Sequence, residues 1–374
     1  MKVPTFAMER WQSRHEHRVS YNLSESGVQP FSLAELLELT GLEPRRMPLG
    51  YPQTNGSDEL RAVVAAMYDG AGPENVLVTA GSAEANLVTL LRLLEPGDRV
   101  VVLVPTYGQT PGLARGLGAK LVTFELEEEL GWQPQAGAAE AAITEGTRLV
   151  VITNPANPTG SVLRREAMDE ILAACERAGA WLLADEVYIG AEAEGSQTPS
   201  FWGSYERTLV TGSLSKAYGL PGLRLGWLVG PASAVEDLWA WKDYTTISPS
   251  AVSDALATSV LEPGIRLRVL SRTREIIVRN RSIVEDWLGS CELVGPWVRP
   301  CAGAIGFIPY RSGINSSELA ERLRIDSSVL VVPGDHFGID GYLRIGFGDD
   351  PGELKDALVR IGDTLEAEAA QAVS

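Results

Sequence analysis

The sequence predicts an α/β fold, with a large domain built on a mostly parallel central sheet flanked by helices and a smaller α+β domain. Three observations carry this. Short strands alternate with helical stretches from about residue 57 to 231, which demands crossover connections and therefore parallel neighbours. Those strands are apolar without interruption, as expected where helices cover both faces of a sheet. After about 231 the rhythm gives way to long helical stretches and then scattered strand-like pieces. A chain of 374 residues has room for two domains at about 150 residues each.

Residues 1–50 read as an irregular arm with one short helix, Leu33 to Leu39. Ser57 is placed to cap a helix whose Leu60, Val63, Val64 and Met67 recur at three-to-four spacing. Val76–Thr79 is a buried strand, followed by the Gly81-Ser82 turn and a helix through Leu87 to Leu94. Further strands are expected at Arg99–Val104, Ala119–Phe124, Arg148–Thr153, Trp181–Ala184, Leu209–Thr211 and Arg224–Val229, with a helix over Arg164–Ala178. Beyond them, Ala232–Asp243 and Ile265–Leu288 read as helices. Strand-like pieces lie near Leu293, Ile305 and Val329, and a last helix starts at Glu353. The expected division is an N-terminal arm (1–45) packing with the small domain, a large domain (46–260) and a small C-terminal domain (261–374).

Composition narrows the function classes. Hydrophobic residues make up 45% and charged residues 22%, an ordinary globular balance. The net charge of −17 opposes contact with phosphate backbones and anionic membranes, so neither nucleic acid nor a membrane is an expected partner. No stretch approaches the roughly 18 uninterrupted apolar residues of a membrane span. Cys175, Cys291 and Cys301 are odd in number and form no C-x-x-C pair, which fits reduced thiols and a cytoplasmic protein without a zinc site. His15 and His17 flank Glu16, but residues two apart on a helix face different directions, and no metal site is expected there.

Four segments carry chemistry. In Thr211-Gly212-Ser213-Leu214-Ser215-Lys216, a lysine follows a strand amid hydroxyls, with Arg224 eight residues on. A lysine desolvated near another cation gives up its proton more readily, and its neutral amine attacks carbonyls to form a Schiff base. Ser213, Ser215 and Arg224 together suit a phosphate; a polar loop with a solvated lysine fits the same residues. Asn154-Pro155-Ala156-Asn157-Pro158-Thr159-Gly160 forces a non-helical turn at a strand's carboxyl end, where open α/β sheets place ligands. It offers the Asn157 amide, or it is turn chemistry alone. In Ala184-Asp185-Glu186-Val187-Tyr188, a carboxylate stands at another carboxyl edge, able to hold a protonated heterocyclic nitrogen or to cap the next segment. Thr79-Ala80-Gly81-Ser82-Ala83 leads from strand to helix and can present free N–H groups to an anion.

From about Asn22 to Phe347 the chain resembles the class I/II aminotransferases, pyridoxal-phosphate enzymes of fold type I (aspartate aminotransferase-like). The resemblance rests on Tyr51, the Gly81 turn, Tyr107, the Asn154–Gly160 turn, Asp185 with Tyr188, the Ser213–Arg224 block and Arg344, in the family's order and spacing. It implies pyridoxal 5′-phosphate as cofactor, joined to Lys216. It implies that Asp185 pairs with the ring nitrogen, that Asn157 and Tyr188 bond the ring oxygen, and that Tyr107 stacks on the ring. Ser82 and Ala83, after Gly81, would hold the phosphate with Ser213, Ser215 and Arg224. Tyr51 would reach it from a neighbouring subunit, which makes a homodimer with shared sites an expectation. Arg344 would clamp the substrate carboxylate, with Gly27 and Asn157 near it. The implied reaction is ping-pong transfer of an amino group between an L-amino acid and a 2-oxo acid, with Lys216 as general acid and base.

Two alternatives compete. Ser213-x-x-Lys216 matches the S-x-x-K of serine acyl enzymes, but no lysine here is followed by Thr-Gly, so the companion motif is missing. Ser24-Glu25-Ser26-Gly27-Val28 and Lys242-Asp243-Tyr244-Thr245-Thr246 look similar to capreomycidine synthase-like enzymes, lyase/cyclases that act on an arginine-derived substrate. Glu25 would then face a cationic group, or it is solvated or bonded to a neighbouring arginine. His336, after Pro333-Gly334-Asp335, has no assigned role.

Overall fold

A computed structural model describes residues 2–373. Its strands are β1 (Tyr21–Asn22), β2 (Val76–Thr79), β3 (Arg99–Val104), β4 (Lys120–Glu127), β5 (Gln133–Pro134), β6 (Thr147–Thr153), β7 (Trp181–Asp185), β8 (Thr208–Ser213), β9 (Gly226–Val229), β10 (Ile305–Pro309), β11 (Val329–Leu330), β12 (Val332–Pro333) and β13 (Tyr342–Gly346). Its helices are α1 (Ala7–His15), α2 (Leu33–Thr40), α3 (Asp58–Ala65), α4 (Ser82–Leu93), α5 (Gln109–Gly116), α6 (Ala138–Ala142), α7 (Arg165–Ala178), α8 (Ala232–Lys242), α9 (Ala251–Leu261), α10 (Pro263–Ser290), α11 (Ser316–Asp326) and α12 (Pro351–Val373).

The large sheet runs β2-β9-β8-β7-β6-β3-β4-β5. It is parallel from β8 through β4, while β9 is antiparallel to both its neighbours and β5 is antiparallel to β4. The uninterrupted apolar strands are explained by their two faces. Leu77, Val100, Val102, Leu149, Val151, Leu183 and Leu209 point into one core, closed by Val88 and Leu90 of α4 and by Leu238 of α8. Val78, Val101, Leu103, Val150, Ile152, Leu182 and Val210 point into the other, closed by Met168, Ile171 and Ala174 of α7 and by Leu60 and Val64 of α3. Each fully buried side chain of this kind contributes about 1.5–3 kcal/mol, so neither face tolerates a charge.

Local signals set the helix ends. The Ser57 hydroxyl accepts from Leu60 N–H at 3.2 Å and starts α3. Ser32 and Glu35 form a reciprocal capping box at α2, and Gly41 ends that helix in the left-handed region. The C-terminal part holds the three-stranded antiparallel sheet β10-β13-β12, and α10 packs against α12. The arm enters this part, because β1 pairs in parallel with β11, Tyr21 opposite Val329.

The structure adds α5, α6, α9 and α11 to the sequence reading and departs from it in three further places. The arm contains a second helix, α1, whose sequence AMERWQSRH shows no broad apolar face; it buries Met8 and Gln12, and Trp11 Nε1 donates to Val331 O at 2.9 Å. The segment near Leu293 makes only an isolated bridge, Val294 to Tyr310. Finally, β9 starts at Gly226, because Arg224 adopts a left-handed backbone with φ 47° that cannot continue a strand.

Candidate active site

The carboxyl ends of β6, β7 and β8 stop at one level, with Thr153 opposite Asp185 and Asp185 opposite Thr211. Thr153, Asp185 and Ser213 there help line a cavity of about 410 Å³. The start of α4 supplies Ser82, Ala83 and Asn86 to it, and the arm supplies Met8, Glu9, Gln12, Glu16 and Glu25. Lys216, Tyr107, Asn157, Tyr188, Ser215, Arg224 and Arg344 complete the chemically relevant lining.

Asp185 is buried at the sheet edge, and burial raises its carboxyl above the usual carboxylate range. Bonds from Asn86 Nδ2 (3.0 Å) and Val187 N–H (3.3 Å), with the nearby Lys216 charge, pull the other way. None of the described ion pairs includes Asp185. Asn86 also accepts from the Thr211 hydroxyl at 3.4 Å, so it orients the carboxylate from the far side.

Arg344 is 1% exposed, and burial depresses its guanidinium pKa. Nη1 donates to Asn157 Oδ1 at 3.2 Å, Nη2 donates to Ser24 O, and Nε has no partner among the described residues. Arginine only donates, so the Asn157 atom facing it is the oxygen, which leaves the Asn157 NH₂ directed elsewhere in the cavity. Tyr188 is buried beside Gly303, where an added Cβ would stand 3.1 Å from its ring. The Tyr107 hydroxyl donates to Glu9 Oε1 at 2.7 Å, and Phe6 meets its ring edge-on at 4.9 Å. Burial and the Glu9 charge both raise the Tyr107 phenol.

Gly81 has φ 79°, and a Cβ there would stand 2.7 Å from Arg224 Nη2. Glycine thus lets the guanidinium lie against the N-terminus of α4, where unpaired N–H groups and the helix dipole favour an anion. Arg224 Nη1 lies 3.4 Å from Ser215 Oγ and bonds Pro221 O at 3.0 Å, and no carboxylate pairs with it among the described residues. Ser213 Oγ accepts from Ser215 N–H at 3.2 Å. Lys216 Nζ stands 3.9 Å from Glu25 Oε2. Gly27 lies over the lysine stem, a Cβ there coming within 3.9 Å of Lys216 Cδ.

The fold therefore brings together Lys216, Asp185, Tyr188, Tyr107, Asn157, Ser82, Ala83, Ser213, Ser215, Arg224 and Arg344 around one cavity, with Gly27 and Gly81 directly behind it. Tyr51 is not brought in; it is 84% exposed and does not line the cavity. His336 does not line it either, and the Lys242 segment proves structural: buried Lys242 Nζ donates to Thr54 O (3.0 Å) and Ile247 O (2.7 Å). The His15–His17 cluster disperses, His15 packing on Trp11 and exposed His17 pairing with Glu16 at 3.5 Å. Sequence reasoning missed Asn86, Glu9, Gln12 and Gln109. Asn86 was within reach, because it lies one helical turn beyond Ser82, on the side that faces the sheet edge.

The model of aminotransferase class I and II matches residues 37–361 of this chain. Capreomycidine synthase of Streptomyces vinaceus is 32% identical, over 98% of this chain and 95% of its own. Arginine–pyruvate transaminase of Pseudomonas aeruginosa is 31% identical, over 83% of this chain and 81% of its own. A PLP-dependent aminotransferase from Streptococcus suis superposes with a TM-score of 0.92 at 32% identity, covering 98% and 99% of the two chains.

The cofactor of this family is pyridoxal 5′-phosphate, and the residues present fit it. Asp185 is a buried carboxylate in no ion pair among the described residues, suited to a protonated ring nitrogen. Arg224 lies at a helix N-terminus beside three serines without a carboxylate of its own, suited to a phosphate. The one nucleophilic amine lining the cavity is that of Lys216. By sequence match, architecture and the fit of these groups, the chain belongs to the class I and II aminotransferase family and is a fold type I, pyridoxal-phosphate-dependent enzyme.

Proposed function

We propose that this enzyme moves an amino group between an L-amino acid and a 2-oxo acid in two half-reactions, a ping-pong sequence. One observation carries the reading: Arg344, a fully buried guanidinium with an unpartnered Nε, lines the same cavity as Lys216 and Asp185. A buried cation without a carboxylate partner is costly unless an anionic ligand answers it. When bound, the cofactor supplies an aldehyde for amine exchange and a ring that withdraws electron density from the substrate Cα.

The chain's residues then divide the work. Asp185, held by Asn86, would keep a proton on the ring nitrogen. The Asn157 NH₂ and the Tyr188 hydroxyl would bond the ring oxygen, and Tyr107 would bound the ring. Ser82, Ala83 N–H, Ser213, Ser215 and Arg224 would hold the phosphate. Arg344 binds the α-carboxylate in a two-pronged pair, with Asn157 and Gly27 beside it. The Lys216 amine would take the proton from the substrate Cα and hold it as general acid and base. Tyr51 completes the phosphate site of a partner subunit in a homodimer, a reading supported by its exposure and its absence from this chain's cavity. The division into arm, large and small parts at 45/46 and 260/261 belongs to this proposal, as does a cytoplasmic setting, for which three unpaired cysteines speak.

A second reading is a lyase or cyclase acting on an arginine-derived substrate. It is favoured by the likeness to capreomycidine synthase over nearly the whole chain and by Glu25 beside Lys216. Products separate the two. An amino-acid panel with a 2-oxo acid acceptor yields a new amino acid if the enzyme transfers, whereas an eliminated or cyclised product formed without acceptor supports the second reading. In either case the purified enzyme absorbs in the visible range and Lys216→Ala does not; a colourless wild type after reconstitution would remove the basis of both.

A further inference from the structure

We propose that the N-terminal arm forms an acidic wall, Glu9, Glu16 and Glu25, that selects a substrate with a cationic side chain, guanidinium or ammonium. This rests on the reading that Arg344 takes an amino-acid carboxylate in the same cavity.

The wall is built rather than incidental. Glu9, Gln12 and Ser13 of α1 and Glu16, the residue that caps its C-terminus, recur at three-to-four spacing and all line the cavity, so one face of the helix roofs it. Gln12 is buried, and its Nε2 donates to Ser24 O at 2.6 Å, tying the helix to the segment that carries Glu25. Met8, buried beside Arg344, fixes the other end. The arm is thus packed over the site, with Tyr107 holding Glu9 and the Gln12–Ser24 bond placing the backbone that carries Glu25.

Matching charges points to the ligand. The cations lining the cavity are Lys216, Arg224 and Arg344. The cofactor aldehyde, its phosphate and the substrate α-carboxylate answer these three, and the ring nitrogen answers Asp185. Glu9, Glu16 and Glu25 then remain without a cation from inside the cavity. Glu9 uses one oxygen to accept from Tyr107 and has no ion pair among the described residues. Glu16 pairs only with His17, which is 90% exposed. The single described ion pair of Glu25 is with Lys216, the amine that the cofactor engages. The buried, incompletely paired Arg344 independently calls for an anionic group in the cavity; Glu9 and Glu25 favour its charge only through space, in no ion pair with it among the described residues. A ligand with a carboxylate for Arg344 and a cation for the arm satisfies both walls. A neutral side chain would leave the three cavity-lining carboxylates without a cation, and an acidic one would add a fourth negative charge.

The test is equilibrium binding to the holoenzyme by calorimetry with carboxylates that lack the reacting amine: 5-guanidinopentanoate, hexanoate and glutarate. The guanidino acid is expected to bind at least about tenfold more tightly than hexanoate, as for a charge-assisted pair at a partly exposed site, and glutarate more weakly still. Glu9→Gln and Glu25→Gln should each shrink the guanidino-to-hexanoate ratio about threefold or more. Equal or inverted affinities in the wild type, a comparison that needs no variant, overturn the proposal, as does a ratio that survives the triple Gln variant. Free transfer from neutral amino acids with no cationic preference defeats the acidic wall alone. A cationic preference in binding without amino transfer from any donor defeats the aminotransferase reading alone.

Discussion

Replacing Arg344 tests the carboxylate clamp directly. The guanidinium is 1% exposed, spends Nη1 on Asn157 and Nη2 on Ser24 O, and keeps Nε free. A hydrogen bond to a charged group is worth about 1.5–3 kcal/mol, and each 1.4 kcal/mol is a tenfold change. Arg344→Lys keeps the charge but loses the planar fork, and should cost about one such bond, or roughly 10- to 150-fold in kcat/KM. Arg344→Gln loses charge and both prongs, roughly 3–6 kcal/mol, or about 10²- to 10⁴-fold. The discriminating assay compares an amino acid with the corresponding primary amine, which has no carboxylate. The loss should fall on the amino acid and leave the slow reaction of the amine nearly unchanged. Thermal unfolding provides the control: relief of an unpaired buried charge offsets the donors lost to Asn157 Oδ1 and Ser24 O, so the net change in stability should be small. Equal losses for acid and amine, with the fold intact, would refute the clamp.

Three other outcomes follow from the geometry. Glu186 is buried against the Phe201 N–H and the Ser200 hydroxyl, and burial pushes its carboxyl up to about 8 from an ordinary 4.5. The folded state therefore keeps a proton that the unfolded state loses, so this group's contribution to stability falls as pH rises from about 4.5 to about 8 and is constant outside that window. Glu186→Gln should gain on the wild type across that range by up to about 5 kcal/mol, read as a widening Tm difference; a pH-independent difference would contradict the assignment. Lys242→Met leaves the carbonyls of Thr54 and Ile247 unpaired and removes a positive charge near buried Glu84, and should destabilise by about 2–4 kcal/mol in denaturant unfolding; a loss below about 0.5 kcal/mol would show the lysine to be dispensable. Gly81→Ala forces an L-residue to φ 79° and drives a Cβ toward Arg224, so affinity for pyridoxal phosphate should drop at least about tenfold while circular dichroism stays native. Unchanged affinity would place the phosphate elsewhere.

Much of the molecule was legible because its signals are local. Uninterrupted apolar runs such as Val76–Thr79 and Trp181–Ala184 specify strands buried on both faces, and each became one. Ser57 and Gly179 set helix ends through their own hydroxyl or left-handed backbone. That Asp185 and Ser213 would stand at the carboxyl ends of their strands, beside one cavity, was readable because an open parallel sheet fixes where such a cleft lies. Helix α1 was not readable: its burial comes from packing against β12 and the site, so its cavity-facing residues are glutamates and glutamine instead of an apolar stripe. Lys242, a charged residue next to a motif of interest, gave no sign that it would be a buried tie between two loops.

The order of elements, the family and the amine, carboxylate and guanidinium of the proposed chemistry are written in the chain itself, because hydrophobic period, turn residues and motif spacing act over a few neighbours. Which groups face one another was decided only by the tertiary fold. Arg344 meets Asn157, Asn86 meets Asp185, and Glu25 meets Lys216 across 187, 99 and 191 residues of chain. Such pairs form only after the sheet, the arm and the C-terminal strands have packed, since charge and hydrogen bonding act through space and leave no periodic trace along the sequence.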